Sequence, residues 1–307
     1  MLQYIQRRVL LAIPNLLIIS IMVFFVMRIV PGDPVSAMLA RSPASGEQVE
    51  QLRESMGLND PLLLQYVHFA ADAVQGDLGE SITTRRPVTS EIWSQFPTTL
   101  GLTLCGLAVA LILGIPIGIA SALRKGSWVD ALLMTVALIG VSMPGYWLAL
   151  ISLSVFSFNL GWFPATGIGG WKHMVLPAMV LGLGEASIIA RMVRASMVEV
   201  LRQEYVVVAR AKGLRNSVVV GRHAMRNALI PVITALGMEF GFLLGGAVVL
   251  ETVFARPGLG RLIVDAILER DYPIVQGAVL FVAALYIAIN ILVDVSYAWL
   301  DPRIRVN

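Results

Sequence analysis

Residues 209–231 read ARAKGLRNSVVVGRHAMRNALIP. The stretch holds Arg210, Lys212, Arg215, Arg222, His223 and Arg226 and no acid. It sits in a chain of 307 residues that is 57% hydrophobic and 14% charged, with a mean hydropathy of +0.78. Soluble domains carry about 25% charged residues. The host is therefore a membrane protein, and this stretch cannot lie in lipid. Deciding which side of the bilayer it occupies decides the fold.

A transmembrane helix needs about 20 mostly apolar residues. Uncharged or nearly uncharged runs of that kind cover 9–27, 97–123, 131–158, 175–193, 228–250 and 274–299. The first is longer than the usual signal-peptide core of about 7–15 residues, so it reads as a retained anchor. Arg7, Arg8, Arg124 and Lys125 place the N-terminus and the second-to-third connection in the cytoplasm, because short cytoplasmic connections collect Lys and Arg. Six crossings then put Arg191, Arg194, Arg202, the basic stretch, Arg303 and Arg305 inside as well. Most acids fall outside, from Asp33 to Glu91 and from Glu251 to Asp271. The expected fold is an all-α integral membrane protein with six transmembrane helices and both termini cytoplasmic. The pI near 9.2 thus reflects cytoplasmic loops and not a nucleic-acid partner.

Residues 1–30 form the N-terminal end and first span, 31–96 an outer segment, and 97–307 a core of five spans with a cytoplasmic loop over about 195–227. In the outer segment, Ser45, Gly46, Glu47 and Gln48 read as a capping box, with Val49, Leu52 and Met56 on one face and Gly57 as the stop. Asn59-Asp60-Pro61 opens a second short helix that ends near Gly76. A third short helix is expected from Leu259 to Leu268.

The basic stretch predicts local structure of its own. Glu204 to Lys212 has helix formers followed by Gly213 at a C-cap position. Asn216 or Ser217 can N-cap the next segment, which leads through Pro231 into the fifth span. Arg222 and Arg226 suit anionic headgroups, whereas the small residues Ala209, Ala211 and Gly213 suit close approach by another protein.

Several chemistries are excluded. No Gly-x-x-x-x-Gly-Lys-Ser/Thr, Gly-x-Ser-x-Gly or His-Glu-x-x-His motif occurs, so the chain has no ATPase site of its own and no standard hydrolase site. Cys105 is the single cysteine and His68, His173 and His223 lie far apart, which leaves no disulfide within the chain and no metal-site spacing. Ionisable residues inside spans are costly and default to functional candidates. Glu185 and Glu239 are candidates for a polar translocation pathway, with interhelical hydrogen bonding as the competing role. Asp294, near the cytoplasmic end of its span, reads as helix-to-helix glue, and an internal pair of Glu185 with Arg191 is expected. Gly237, Gly241 and Gly245 are candidates for close packing within the chain or against a partner subunit. Pro116 and Pro144 are expected to kink the second and third spans.

Ala209-Arg210-Ala211-Lys212-Gly213, followed by Arg222-His223-Ala224-Met225-Arg226-Asn227-Ala228-Leu229-Ile230-Pro231, resembles the cytoplasmic coupling loop of binding-protein-dependent ABC importer permeases, the EAA motif. The chain is most similar to the B-type permeases of di- and oligopeptide importers and their glutathione and nickel relatives. Val30-Pro31-Gly32-Asp33-Pro34, Gln75-Gly76-Asp77-Leu78-Gly79, Arg86-Pro87-Val88, Val253-Phe254-Ala255-Arg256-Pro257-Gly258-Leu259-Gly260 and Asp301-Pro302-Arg303-Ile304-Arg305 extend the resemblance along nearly the whole chain. The motif's opening Glu-Ala-Ala falls on Val207, Val208 and Ala209, and its closing proline on Arg226. The resemblance implies an ABC importer permease (MetI-like) architecture. It implies a second homologous permease subunit, two ATP-binding subunits that bind ATP and Mg, and an external solute-binding protein. Glu204, Tyr205, Ala209, Arg210, Ala211, Lys212, Gly213 and Leu214 would dock one ATPase. Di- or oligopeptides are the expected solute, with glutathione, a nickel complex or another small solute as alternatives. An ATP-independent channel or a structural membrane subunit would behave differently: the first would show flux without ATP, the second would tolerate loss of Glu239 and Gly213.

Overall fold

The computed structural model describes residues 2–29, 47, 50, 53, 54 and 58–300. Ser45, Gly46 and Gln48 of the expected capping box, its face at Val49, Leu52 and Met56 with the stop at Gly57, the Val30–Pro34 motif, the Asp301–Arg305 motif and the Asp294 side chain lie outside the described residues. Among the described residues the structure is helical, with one isolated β-bridge, Glu80 to Pro87.

The chain divides into two compact units, residues 1–97 with 258–307, and residues 98–257. In the first, α1 (Leu2–Ile29) packs along α10 (Tyr272–Leu300). The short outer helix α2 (Leu62–Val74) meets the end of α1 through Phe24, whose ring lies 5.4 Å from Tyr66 and 5.8 Å from Phe69. Helix α9 (Leu259–Glu269) packs on α10 around Leu259, Ala266, Tyr272 and Ile274. Asp271, 2% exposed, accepts from Ser81 Oγ, from Thr83 N at 3.0 Å and from Ile274 N at 3.3 Å. It therefore caps α10 and holds the 79–88 turn, so two of the motif stretches meet here.

In the second unit, α3 (Val88–Leu123) contributes its part beyond Pro97 and runs through Pro116 without interruption. The third span is broken: α4 (Trp128–Ser142) and the segment Gly145–Asn159 meet at 99°. That second segment is α5 (Gly145–Ser152) followed by a π-helical stretch, Leu153–Asn159. Pro144 lacks an N–H and disfavours the α conformation at Met143, and the break falls there. Met143 is extended at φ −82, ψ 126. Helix α6 (Lys172–Val200) is the central element, packed by α4, α5 and α8 (Ile230–Val253). Small residues on α3 at four-residue steps, Gly106, Ala110, Gly114 and Gly118, face α6. A Cβ at Gly118 would stand 2.5 Å from the Ala190 carbonyl oxygen, and one at Gly114 2.7 Å from that of Ala186.

Five helices are long and apolar enough to cross a membrane, and six spans result when the bent pair counts as one. Polar contacts at the two ends of α6 make it one. At the C-terminal end, Arg194 holds Asp130 at the start of α4. At the N-terminal end, the carbonyl of His173 accepts from Arg256, just beyond α8. The chain between Asp130 and Lys172 thus travels from one end of α6 to the other, as six crossings require.

Candidate functional site

The polar segment between α6 and α8 contains α7 (Glu204–Ala211). Its C-terminus is a Schellman motif: Gly213 N donates to Arg210 O at 2.9 Å and Leu214 N to Ala209 O at 3.4 Å. Gly213 has φ +76, a left-handed conformation that costs little only for glycine. The stop expected at Gly213 is where the helix ends. The reason is backbone conformation alone, since an added Cβ would meet nothing within 4 Å.

One narrow face of α7 is docked on its own chain: Val206 and Ala209 are buried against Val219, with Val200 and Leu201 beside them. The small size of Ala209 thus serves an internal contact. Glu204, Tyr205, Arg210, Ala211, Lys212, Gly213 and Leu214 are exposed, and so are Val207 and Val208 at 55% and 51%. Two valines on a helix outside the spans, flanked by Tyr205 and Leu214, form an apolar patch that water does not favour. Tyr205 Oη accepts from Asn227 Nδ2 at 2.8 Å, which ties α7 to the chain re-entering the membrane. Asn216 and Ser217 do not cap the next segment: Arg215 occupies the N-cap with extended geometry and no side-chain bond. The chain continues through a π-helical turn, Val219–Ala224, with Arg222 exposed.

Just below this segment lies a contact with no signature in the sequence. Asp130, 4% exposed, receives Arg194 Nε and Nη2 at 2.7 Å each, a bidentate pair. Ser121 Oγ and Gly126 N, the latter at 2.9 Å, complete its shell. At the other end of the unit, Glu251 is fully buried and accepts from Thr99 Oγ1 at 2.6 Å. Arg256 reaches the carbonyls of His173 at 3.0 Å and Gly167 at 3.4 Å. Burial pushes its guanidinium below the ordinary value, with Glu251 opposing the shift.

The two candidate pathway carboxylates come together. Glu185 on α6 meets Glu239 on α8, not Arg191. Arg191 is six residues further on, about 240° around the helix, and it is exposed. Glu239 is 8% exposed, and Oε2 of each glutamate is buried without a hydrogen-bond partner. Glu185 lines a cavity of about 330 Å³ beside the broken span, with Met143, Gly145, Tyr146, Gly184 and Phe242.

Gly237, Gly241 and Gly245 do not share one environment. Gly237 is buried, Gly241 half-buried and Gly245 exposed with open space around it. Four-residue steps drift by about 40° each on an α-helix. Within the chain, small residues on α3 carry a close helix approach. Among the described residues no group of three His, Cys, Asp or Glu could hold a metal ion.

Residues 114–306 match the family described as binding-protein-dependent transport system inner membrane component, and residues 1–103 match its N-terminal membrane component. The chain is 46% identical over 305 residues to the glutathione transport system permease protein GsiC of Pectobacterium atrosepticum, covering 99% of each chain. It is 45% identical to the protein of that name in Escherichia coli K12, again over 99% of each. Among solved structures, an inward-facing conformation of the MetNI methionine ABC transporter superposes with a TM-score of 0.57 at 19% identity, over 69% of this chain and 96% of that one. An amino acid ABC transporter solved with histidines gives a TM-score of 0.50 at 17% identity, over 70% and 94%. At these identities the structures bear on fold alone.

Proposed function

The chain belongs to the inner membrane components of binding-protein-dependent transport systems, and we propose that its solute is a short peptide of the glutathione kind. It is a multi-pass inner-membrane permease of the peptide, nickel and glutathione class of ABC importers, a transport component without an ATPase site. The observation that carries the solute reading is the 46% identity, over 99% of both chains, to a glutathione permease. It narrows the expectation of di- or oligopeptides to the tripeptide end of that class.

In this reading the permease pairs with a second, homologous permease. Two ATP-binding subunits bind ATP and Mg, and an external protein delivers the solute. Residues 1–30 and 31–96 form the first span and an outer segment, and 97–307 the transport core. The exposed face of α7, with Tyr205, Val207, Val208, Ala211 and Leu214, sits in a groove on one ATPase. ATP-driven closure of the ATPases moves α7 as a rigid body, and the spans joined to it alternate access. Glu185 and Glu239 line the route.

The test is depletion of glutathione and of a mixed di- and tripeptide pool from the medium, followed by mass spectrometry. Cells carrying the native chain are compared with cells carrying Gly213→Asp, with membrane insertion checked by immunoblot. Native cells deplete glutathione and the variant does not. Depletion of other peptides but not glutathione overturns the solute, and equal depletion by both overturns the role of α7.

A further inference from the structure

Helix α2 buries none of its 13 residues. Leu63, Val67 and Val74 are 74%, 55% and 89% exposed, and at about 100° per residue they share one face. Water does not favour such a stripe, and no described residue covers it. The depth of α2 names the cover. Arg8 and Arg28 stand at the two ends of the apolar run of α1, about 30 Å apart at 1.5 Å per residue, which is the thickness of a bilayer's hydrocarbon core. Arg28 is therefore at the outer headgroup level. Helix α2 packs on the turns of α1 at and below it. Gln65 Oε1 accepts from Arg28 Nε at 3.0 Å, the Phe69 ring lies 5.8 Å from Phe24, and Tyr66 Oη meets Ser20 Oγ at 2.9 Å. Ser20 comes eight residues before Arg28, about 12 Å deeper. Helix α2 thus enters the outer leaflet, as interfacial helices do, and its free stripe meets lipid.

Beside that stripe, His68 and Asp72 of α2 line a cavity of about 250 Å³ together with Arg28, Gln65, Asp77 and Gln276. Gln65 belongs to the frame, since its Nε2 donates to the carbonyls of Leu58 and Asp60 at 3.1 and 2.8 Å. Arg28 has donors to offer. Of its five N–H groups, Nε is bonded to Gln65 and one on Nη1 to the Phe24 carbonyl at 3.5 Å, which leaves three. Among the described residues it forms no ion pair. Among those residues Asp72 accepts only through its backbone carbonyl. Asp77 accepts from Gly79 N through Oδ1 at 2.8 Å, which leaves its other oxygen. A lone anion drawn to Arg28 would meet two carboxylates, and a lone cation drawn to those would meet a guanidinium. A zwitterion that carries a phosphate and an ammonium matches both.

We infer that this cavity seats the head of an outer-leaflet phospholipid with a primary ammonium group, a phosphatidylethanolamine. Its phosphate lies on Arg28 and its ammonium on Asp72 and Asp77, with lipid acyl chains over Leu63, Val67 and Val74. A primary ammonium brings three N–H donors, enough for two carboxylates. The trimethylammonium of phosphatidylcholine has none, and the head of phosphatidylglycerol brings an anion with no cation beside it. The assignment is independent of which solute the permease carries.

The intact complex, purified with its ATPases and stripped of lipid by detergent exchange, is offered equimolar phosphatidylethanolamine, phosphatidylcholine and phosphatidylglycerol with the same acyl chains. Native mass spectrometry reads what is retained. Phosphatidylethanolamine is retained about tenfold over each of the others, the factor that one charge-assisted hydrogen bond supplies. Asp72→Asn, at an exposed residue, brings it level with phosphatidylcholine. No preference, a preference for another head, or a preference that survives Asp72→Asn combined with Asp77→Asn overturns the site. Displacement of the retained lipid by free glycerophosphoethanolamine at equal concentration makes the cavity a site for a soluble zwitterion and overturns the lipid. A second measurement needs no change in the cavity. A nitroxide is placed at Leu63→Cys, with Cys105→Ser, in lipid nanodiscs, and its relaxation by oxygen and by a nickel chelate is compared. Oxygen has the stronger effect. A stronger effect of the chelate puts the stripe in water, and shielding from both puts it under protein; either result overturns the inference.

Discussion

Asp130→Asn is the sharpest test of how the second unit is held together at its cytoplasmic end. Asp130 is 4% exposed and accepts from four groups: both Arg194 nitrogens, Ser121 Oγ and Gly126 N. Asparagine keeps the shape and one acceptor oxygen. It loses the charge and turns an amide NH2 toward the guanidinium, donor against donor. Breaking a buried ion pair from one side costs about 3–5 kcal/mol. The Arg194 side chain is 30% exposed, so water recovers part of the loss and the lower end applies, about 3 kcal/mol. That is roughly a hundredfold in the folding equilibrium and a melting temperature lower by about 6–12 °C. The assay is thermal denaturation of the detergent-solubilised complex, monitored by size-exclusion chromatography. A second variant, Asp130→Asn with Arg194→Gln, removes the stranded cation and melts above the single variant. A melting point for Asp130→Asn within about 1 °C of native, or a double variant that loses the sum of the two single effects, refutes the reasoning.

Four further substitutions separate close packing, turn conformation and docking. Gly118→Val places a Cβ 2.5 Å from the Ala190 carbonyl oxygen and 2.6 Å from the Val193 Cβ, so the complex assembles poorly on blue-native gels, while Gly145→Ala, with nothing within 4 Å, assembles normally. Gly213→Ala meets no atom but keeps the strain of φ +76; it costs about 1 kcal/mol and leaves uptake at least half intact, in contrast to Gly213→Asp. Val207→Glu alters a residue that is 55% exposed, so insertion is unchanged while co-purification of the ATPase subunit drops.

The features legible in the sequence are those set by windows of neighbouring residues. The spans follow from apolar runs, the end of α7 from Gly213, and the break in the third span from Pro144, because each depends on local backbone chemistry. Pro116 had the same local signal, yet α3 continues through it. What sequence could not supply is which distant side chains meet. Asp130 and Arg194 are 64 residues apart, and neither carries a motif. The four-residue step of Gly106, Ala110, Gly114 and Gly118 was as visible as that of Gly237, Gly241 and Gly245. Only the packing of α3 on α6 distinguishes the first set from the second. Glu185 and Glu239 stood out as intramembrane acids, but the expected partner of Glu185 was Arg191, on its own helix, and the residue it meets is on another.

The placement of that carboxyl pair links the two halves of the proposed mechanism. Glu185 lies on α6, 15 residues before its end at Val200, about 22 Å along a helix at 1.5 Å per residue. Glu239 lies on α8, 9 residues after its start at Ile230, about 14 Å along. Both helices are joined to the same polar segment, α6 running into it and α8 out of it, with α7 between them. A displacement of α7 therefore reaches both helices through short connections, residues 201–203 on the α6 side and 212–229 on the α8 side. Val206 and Ala209 fasten α7 to Val219 on the α8 side and to Val200 and Leu201 on the α6 side, so it cannot shift without changing the relation of the two. The Asp130–Arg194 clamp ties α4 to α6, so the cavity wall at Met143 is fastened to the helix that carries Glu185. On this geometry Asp130→Asn loosens a wall of the cavity lined by Glu185 as well as lowering stability. At a temperature well below its melting point, the variant imports less solute per ATP hydrolysed than the native complex. A native ratio of uptake to hydrolysis in that variant would show that the clamp only stabilises the fold.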